Sequence, residues 1–341
     1  MKTKKPYTVH FVCRGNTFRS RLAAAYFAEL AAGKFVVTSS GVGATDSPVK
    51  TAETYTKAVA KKHRLKHGLA DHNLQTTSAL LDTADVIVLM NKDVYDQALK
   101  DYQFDPRKAL VWHVKDVDPE FKRQKRAAGD EQALNEFAEE TFANIARHCQ
   151  QLYRYLTHTA WVDVVTKDNQ ITGLRLPMAW VQDRGLWHRG VHVVVQTSDG
   201  KFVVGKRASS IVFAPGMLEI SLGGGVDSGE HPLQAAQRET HEELGLPLSE
   251  KHFRPLFKQQ TVAYHPHYNK TSKCHLYVFA ASLPVHSTRL QPQPEEVAEV
   301  RVLTPRQVKH LLRTHRMTSF GPLSTKYKLY QKAVTQSLQP L

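Results

Sequence analysis

The sequence predicts an α/β protein built from two domains, and three observations carry that reading. The chain has 341 residues, more than one ordinary core organises and suited to two domains of roughly 150–200 residues each. In the first half, short apolar runs alternate with helical segments, the pattern of a four-stranded parallel sheet with helices on both faces. After Leu156 the pattern changes to hairpins, a glycine-rich loop and an amphipathic helix. The expected domains are 1–157 and 160–341, with no long low-complexity linker between them.

The elements follow in order. "YTVHFV" reads as a strand, "RSRLAAAYFAELAA" as a helix, "FVVTSS" as a strand and "KTAETYTKAVAKKHRL" as a helix. "ADVIVLM" is the third strand, "KDVYDQALK" a short helix, "ALVWHV" the fourth strand and "DEQALNEFAEETFANIARHCQQLYRYL" a long closing helix. In parallel sheets of this kind ligands bind beyond the carboxyl ends of the strands, and Cys13 stands at that end of the first one. In the second half, "WVDVVTKDNQITGLRL" turns at "DNQ" and "RGVHVVVQTSDGKFVVGKR" turns at "SDG", both as hairpins. "LQAAQRETHEEL" is a helix ended by Gly245 in a C-terminal cap role. "CHLYVFAASL" and "VAEVRVL" are further strands, and "TPRQVKHLLRTH" opens a helix with a threonine cap and proline in the first turn. "YHPHYNKTSKCH" reads as a loop whose histidines match no zinc spacing.

Composition narrows the function classes. With 41% hydrophobic and 23% charged residues the chain is globular, and no run approaches the roughly 18 apolar residues of a membrane span. The basic opening is followed by too short an apolar stretch for a signal peptide. Three cysteines, Cys13, Cys149 and Cys274, are too few and too odd for a disulfide framework, so a reducing cytoplasm is expected. The net charge of +14 can steer phosphate-bearing ligands inward. No helix-turn-helix, zinc finger or arginine-rich arm is present, which argues against nucleic acid as the partner.

The first chemical motif is "CRGNTFRS". It lies between a strand and a helix, with Gly15 and Asn16 available for unusual backbone angles. Such a turn aims successive N–H groups inward as an anion nest, and the following helix adds its positive end. A thiol in that setting favours its thiolate form. Arg19 can clamp two phosphoryl oxygens as a fork, and Ser20 can donate to the sulfur. Residues Arg14, Gly15, Asn16, Thr17, Phe18 and Ser20 would wrap a tetrahedral dianion held between Cys13 and Arg19.

"VHFVCRGNTFRS" resembles the signature of low-molecular-weight protein tyrosine phosphatases over about the first 157 residues. "TSSGVGA" is similar to that family's second strand and serine-rich turn, "LLDTADVIVLM" to its third strand and "DVDPEF" to its Asp-Pro loop. The resemblance implies Cys13 as nucleophile, Asp118 as general acid, a cysteinyl-phosphate intermediate and no metal. Phe18 stands where family members often carry a second, shielding cysteine. Thr17 stands where tyrosine-specific members carry isoleucine and is similar to the branch acting on phosphoarginine, so both phosphotyrosine and phosphoarginine stay open as substrates. Arsenate reductases share the loop but need two further cysteines in a mobile segment, which Cys149 on a helix does not supply.

The second motif fits G-x5-E-x7-R-E-U-x-E-E-x-G-U, where U is bulky and apolar, at Gly224, Glu230, Arg238, Glu239, Glu242, Glu243, Gly245 and Leu246, with Thr240 in the first U position. Glu239, Glu242 and Glu243 are related as i, i+3 and i+4 and share a helix face. Carboxylates so placed repel unless a cation joins them, and oxygen ligands suit Mg²⁺ or Mn²⁺. From Trp161 onward the chain resembles Nudix hydrolases, of the subgroup related to isopentenyl-diphosphate isomerase, which implies an α/β/α sandwich with a mixed sheet. It also implies a Gly224 carbonyl ligand, and Arg238 and Glu230 as an anchoring pair with Gly245 structural. Glu242 or Glu243 is the expected base, and one of Glu295, Glu296 and Glu299 could complete the metal site. The isomerases' early cysteine is missing, so hydrolysis of a nucleoside diphosphate linked to another group is expected. The whole reads as a bifunctional phosphate hydrolase acting on a phosphoprotein or phosphorylated small molecule and on a nucleotide-diphosphate-type substrate. The alternative is a phosphatase regulated by a non-catalytic, ligand-sensing Nudix domain.

Overall fold

In the computed structural model, β1 (Tyr7–Cys13) pairs in parallel with β2 (Phe35–Gly41) on one side and β3 (Val86–Leu89) on the other, and β4 (Ala109–Val111) extends the sheet beyond β3. The order β2-β1-β3-β4 is interleaved with α1 (Arg19–Ala31), α2 (Thr54–Lys62), α3 (Ser78–Thr83), α4 (Lys92–Asp101), α5 (Pro119–Ala127) and α6 (Glu131–Thr157). The described residues are 6–46, 51–65, 69, 72–210, 215–265, 270–283, 290–314, 316–317 and 325–338. Contacts divide the chain into two units, Met1–Thr159 and Ala160–Leu341.

Strand alternation sends β1 side chains to both faces of the first sheet. Phe11 meets Phe27 of α1 and Trp112, with ring centroids 5.6 and 5.7 Å away. On the opposite face Val12, Ile87 and Leu89 cluster with Leu81, Val94 and Ala98 of α3 and α4. Side-chain caps start four of these helices: Thr77, Asn91, Asp118 and Asp130 each accept a first-turn N–H, satisfying donors that have no partner within the helix. The run "LLDTADVIVLM" divides between α3 and β3, because Thr77 caps a helical turn and only Val86–Leu89 reach β1. Helix α5 is an addition to the sequence reading.

The second unit begins with the hairpin of β5 (Trp161–Val165) and β6 (Ile171–Pro177), followed by α7 (Met178–Asp183), β7 (Trp187–Gln196), β8 (Phe202–Arg207), β9 (Leu218–Glu219) and β10 (Ser221–Leu222). Then come α8 (Pro232–Leu244), β11 (Phe253–His265), β12 (Lys270–Ser282), β13 (Val297–Leu303), α9 (Pro305–Arg313) and α10 (Thr325–Ser337). The sheet is mixed: β7 runs parallel to β12 and antiparallel to β5, β8 and β10. Alternation along β7 gives the layers. Val191, Val193 and Val195 bury against Ala235, Ala236 and Leu244 of α8. Val194, from the other face, packs with Val308, Leu312, Tyr330 and Ala333 of α9 and α10. "YHPHYNKTSKCH" is no simple loop: its ends belong to β11 and β12, which pair antiparallel from Phe253↔Ala281 to His265↔Lys270. Residues 266–269, with His267 among them, lie outside the described residues.

Candidate active sites

The cysteine loop closes on itself. Cys13, 3% exposed, ends β1, and its sulfur accepts the Asn16 N–H at 3.2 Å and lies 3.0 Å from Ser20 Oγ. Asn16 takes the left-handed conformation at φ 51°, which asparagine tolerates better than most residues. Its side chain donates to Ser20 Oγ and Ser39 Oγ at 2.9 and 3.0 Å and accepts Leu74 N–H at 2.8 Å, so one amide ties the loop to its surroundings. Gly41 leaves room for the loop: a Cβ there would stand 2.5 Å from the Arg14 carbonyl and 2.7 Å from Asn16 N. Gly15 and the half-buried Thr17 complete the turn, and Arg14 is exposed. Phe18 is buried, edge-on to Tyr55 at 5.1 Å.

Arg19, at the start of α1, is 1% exposed. Its Nη1 donates to the Val114 carbonyl at 2.9 Å, and its Nη2 to Asp116 Oδ2. Nε has no partner. Nε–H and one Nη–H form the side of the guanidinium fork that grips an oxyanion. Here one prong is unpartnered, and Asp116, 41% exposed at its side chain, holds the other. Asp118 stands two residues on. Its Oδ1 accepts Phe121 N–H at 2.8 Å as the cap of α5. Glu53, a 3% exposed carboxylate, ties these parts together: its N–H donates to the Thr17 carbonyl at 3.1 Å, and it accepts from Lys122 and Arg126 of α5, both at 2.5 Å. The cysteine loop and the helix that Asp118 caps are thereby held by one residue. The sequence reading missed both acids. Asp116 had a signal, a second carboxylate beside Asp118 in the same loop; Glu53 had none.

The other thiols are elsewhere. Cys149 is buried in α6, its thiol pushed well up by burial. Cys274 sits on β12, pushed up to about 12 by burial.

In the second unit, α8 starts at a capping box between His231 and Gln234 and ends at Gly245, φ 69°. Arg238 is the hub. It grips Glu230 with Nε and Nη2 at 3.1 and 3.0 Å, donates from Nη2 to the Gly225 carbonyl at 2.8 Å, and reaches Glu239 and Glu242 through Nη1 at 2.7 and 3.1 Å. Glu243 accepts Gly223 N–H at 2.8 Å. Gly223, at φ 151°, passes over β7 so closely that a Cβ would collide with the Val191 carbonyl, and a Cβ on Gly224 would strike the Glu239 carboxylate. The Gly224 carbonyl already accepts Val191 N–H at 2.9 Å, leaving one lone pair.

Burial, with Glu242 and Glu296 adding repulsion, raises Glu239 to about 7 despite Arg238. Burial and the charges of Glu239, Glu296 and Glu219 raise Glu243 to about 8 against the Gly223 hydrogen bond. Of the three late glutamates, Glu296 bears on the site, whereas Glu299 pairs with Arg301. Among the described residues no group of three or more acidic, histidine or cysteine side chains stands in metal-holding geometry; Arg238 takes up Glu239 and Glu242, and the Gly223 N–H takes up Glu243. The donor set still fits a hard divalent cation: buried carboxylates that repel one another, next to a backbone carbonyl, lose that repulsion when a cation joins them.

These features define the class: a two-domain phosphate hydrolase. Residues 8–162 match the low molecular weight phosphotyrosine protein phosphatase family and residues 186–322 the NUDIX domain. The chain is 32% identical over 176 residues to the uncharacterized Nudix hydrolase YfcD of Salmonella typhi, covering 51% of this chain and 85% of that one. It is 31% identical over 176 residues to YfcD of Escherichia coli (strain K12), covering 51% and 87%. A solved structure of Vibrio vulnificus Wzb in complex with benzylphosphonate matches with TM-score 0.35 and 22% identity, covering 43% of this chain and 97% of that one. The chain belongs to the Nudix hydrolases and carries a low-molecular-weight phosphatase domain ahead of its Nudix domain. Among the described residues no helix is long and apolar enough to cross a membrane.

Proposed function

We propose that the first domain hydrolyses phosphotyrosine or phosphoarginine on protein substrates. Cys13 sulfur attacks phosphorus as the bond to the leaving oxygen or nitrogen breaks, and Asp118 gives that atom its proton. Water then attacks the cysteinyl-phosphate, Asp118 takes a proton back, and the thiolate leaves. One observation carries this reading: Arg19, six residues after Cys13, is buried with Nε unpartnered and Nη2 on an exposed acid. An incoming phosphoryl group takes both prongs and displaces Asp116.

The test is inhibition by inorganic phosphate. Phosphate should compete with substrate, and Asp116→Asn should tighten it by about 2–5-fold, the scale of a partly exposed ion pair. No inhibition, or no effect of the substitution, would count against the cradle.

For the second domain we propose hydrolysis of a nucleoside diphosphate linked to another group, dependent on Mg²⁺ or Mn²⁺. Glu239, Glu242, Glu243 and the Gly224 carbonyl would hold the cation, which when bound polarises the diphosphate and acidifies water. Arg238 fixes the glycine loop through Glu230 and Gly225, and Glu242 or Glu243 takes a proton from water.

The raised carboxyls give a pH test. Between about pH 4.5 and their folded values, Glu239 and Glu243 keep protons that the unfolded chain has released. Their contribution to stability is therefore full below the unfolded value and lost as pH rises through about 7 and about 8. Cation binding needs the deprotonated forms. The rise in melting temperature of this unit on adding Mg²⁺ should be near zero at about pH 5.5 and several degrees at about pH 8.5. A pH-independent rise would contradict the assignment of these ligands.

A further inference from the structure

A cavity of about 750 Å³ opens between α9 and α10. Lys309 and Arg313 line it from α9, Lys328 and Lys332 from α10, with Leu312 and Val334 contributing apolar surface. Each cationic pair is spaced i, i+4, so like charges lie one turn apart on the same face, an arrangement that destabilises a helix on its own. Two such pairs face one cavity. None of its described lining residues is acidic, and among the described residues no carboxylate pairs with any of the four. Lys332 rests its ammonium over the Phe257 ring, 4.1 Å from the centroid.

The cavity is separate from the glutamate site. Helices α9 and α10 pack on one face of the sheet and α8 on the other, so a diphosphate held at Glu239 and Glu243 cannot also reach these cations. The volume suits one small molecule, since ligand cavities run about 300–1,000 Å³. Four cations around one cavity suit several phosphate charges, and the apolar part of its lining, behind which Leu312 and Val334 are almost fully buried, suits a ring or hydrocarbon part. We propose that this cavity binds a small organic polyphosphate of the nucleoside triphosphate kind, at a site apart from the glutamate centre of the same unit. Helix α10 also carries Tyr330 inward, where its hydroxyl donates to Glu219 Oε1 at 2.6 Å and accepts from Ser221 Oγ at 3.1 Å, just ahead of the glycine loop. A ligand on α10 thus bears on a helix bonded to the segment that leads into the catalytic loop.

The experiment is calorimetric titration of the full-length protein with ATP, in chelator and near-physiological salt, so that the glutamate site holds no cation. ATP should bind, and both Lys309→Gln/Arg313→Gln and Lys328→Gln/Lys332→Gln should weaken it by about tenfold or more, the scale of lost charge-assisted hydrogen bonds. Lys328→Arg/Lys332→Arg should retain binding, which separates lost charge from lost fold. Adenosine should not bind. ATP affinity unchanged in both glutamine variants would overturn the site. Equal affinity for inorganic tripolyphosphate would overturn the organic ligand. A single-stranded oligonucleotide that displaces ATP and binds more tightly would overturn the small ligand in favour of nucleic acid.

Discussion

Cys13→Ser should lower phosphatase turnover by on the order of 10⁴-fold or more, because an un-ionised hydroxyl is a far weaker nucleophile and leaving group than a thiolate. The rest of the cradle should survive. Serine is close in size to cysteine, and its oxygen can accept the Asn16 N–H that the sulfur accepts now. Arg19, Asn16 and Ser20 keep their partners, so inorganic phosphate should still bind. The variant would then hold substrate without turning it over, a loss of kcat with little change in binding. Diphosphate cleavage by the second domain should be unchanged. Residual phosphatase activity within tenfold of wild type would place the nucleophile elsewhere, although burial holds Cys149 and Cys274 in the unreactive thiol form.

Glu242→Gln/Glu243→Gln should reduce diphosphate cleavage by about 10²–10⁴-fold, the range of a lost general base, with further loss from weaker cation binding. Stability should not fall. Glu242 is half exposed at its side chain, and a glutamine at 243 can still accept Gly223 N–H. In metal-free buffer near pH 8 the double variant should melt slightly above wild type, because a buried repulsion with Glu239 is gone. The same variant separates an enzyme from a sensor. A ligand-sensing Nudix domain has no cleavage to lose, so wild type would bind diphosphate derivatives without releasing product.

What could be read in advance follows from how each feature is encoded. The cysteine loop is contiguous, since one turn must bring Cys13, Asn16, Arg19 and Ser20 around a single anion. The glutamate helix is nearly so, because helical geometry turns the spacing of 239, 242 and 243 into a shared face. The four strands of the first unit's sheet and the helix caps at Thr304 and Gly245 are likewise local. Contacts between distant segments were not legible. Nothing around Glu53 says that it will bond both Thr17 and α5, and nothing around Asp116 says that it will hold Arg19. The hub role of Arg238 was legible for Glu230, eight residues away, but not for its grip on Glu239 and Glu242, which competes with a cation for the same oxygens. Strand β11 was missed because Pro255 and the polar "KQQT" obscure its alternation; pairing with β12 makes it a strand. Helix α10 did carry a signal, apolar Leu329, Tyr330, Ala333 and Val334 at helical spacing, all buried.

The central claim is that a thiol site and a carboxylate–cation site work independently on one chain. Adding a strong chelator to a single preparation, with both activities followed together, tests it most directly. Hydrolysis of p-nitrophenyl phosphate should persist at its full rate while cleavage of nucleoside diphosphate derivatives stops and returns on adding back Mg²⁺. If the chelator stopped both, or neither, the division of chemistry between Cys13 and the glutamate helix would be wrong.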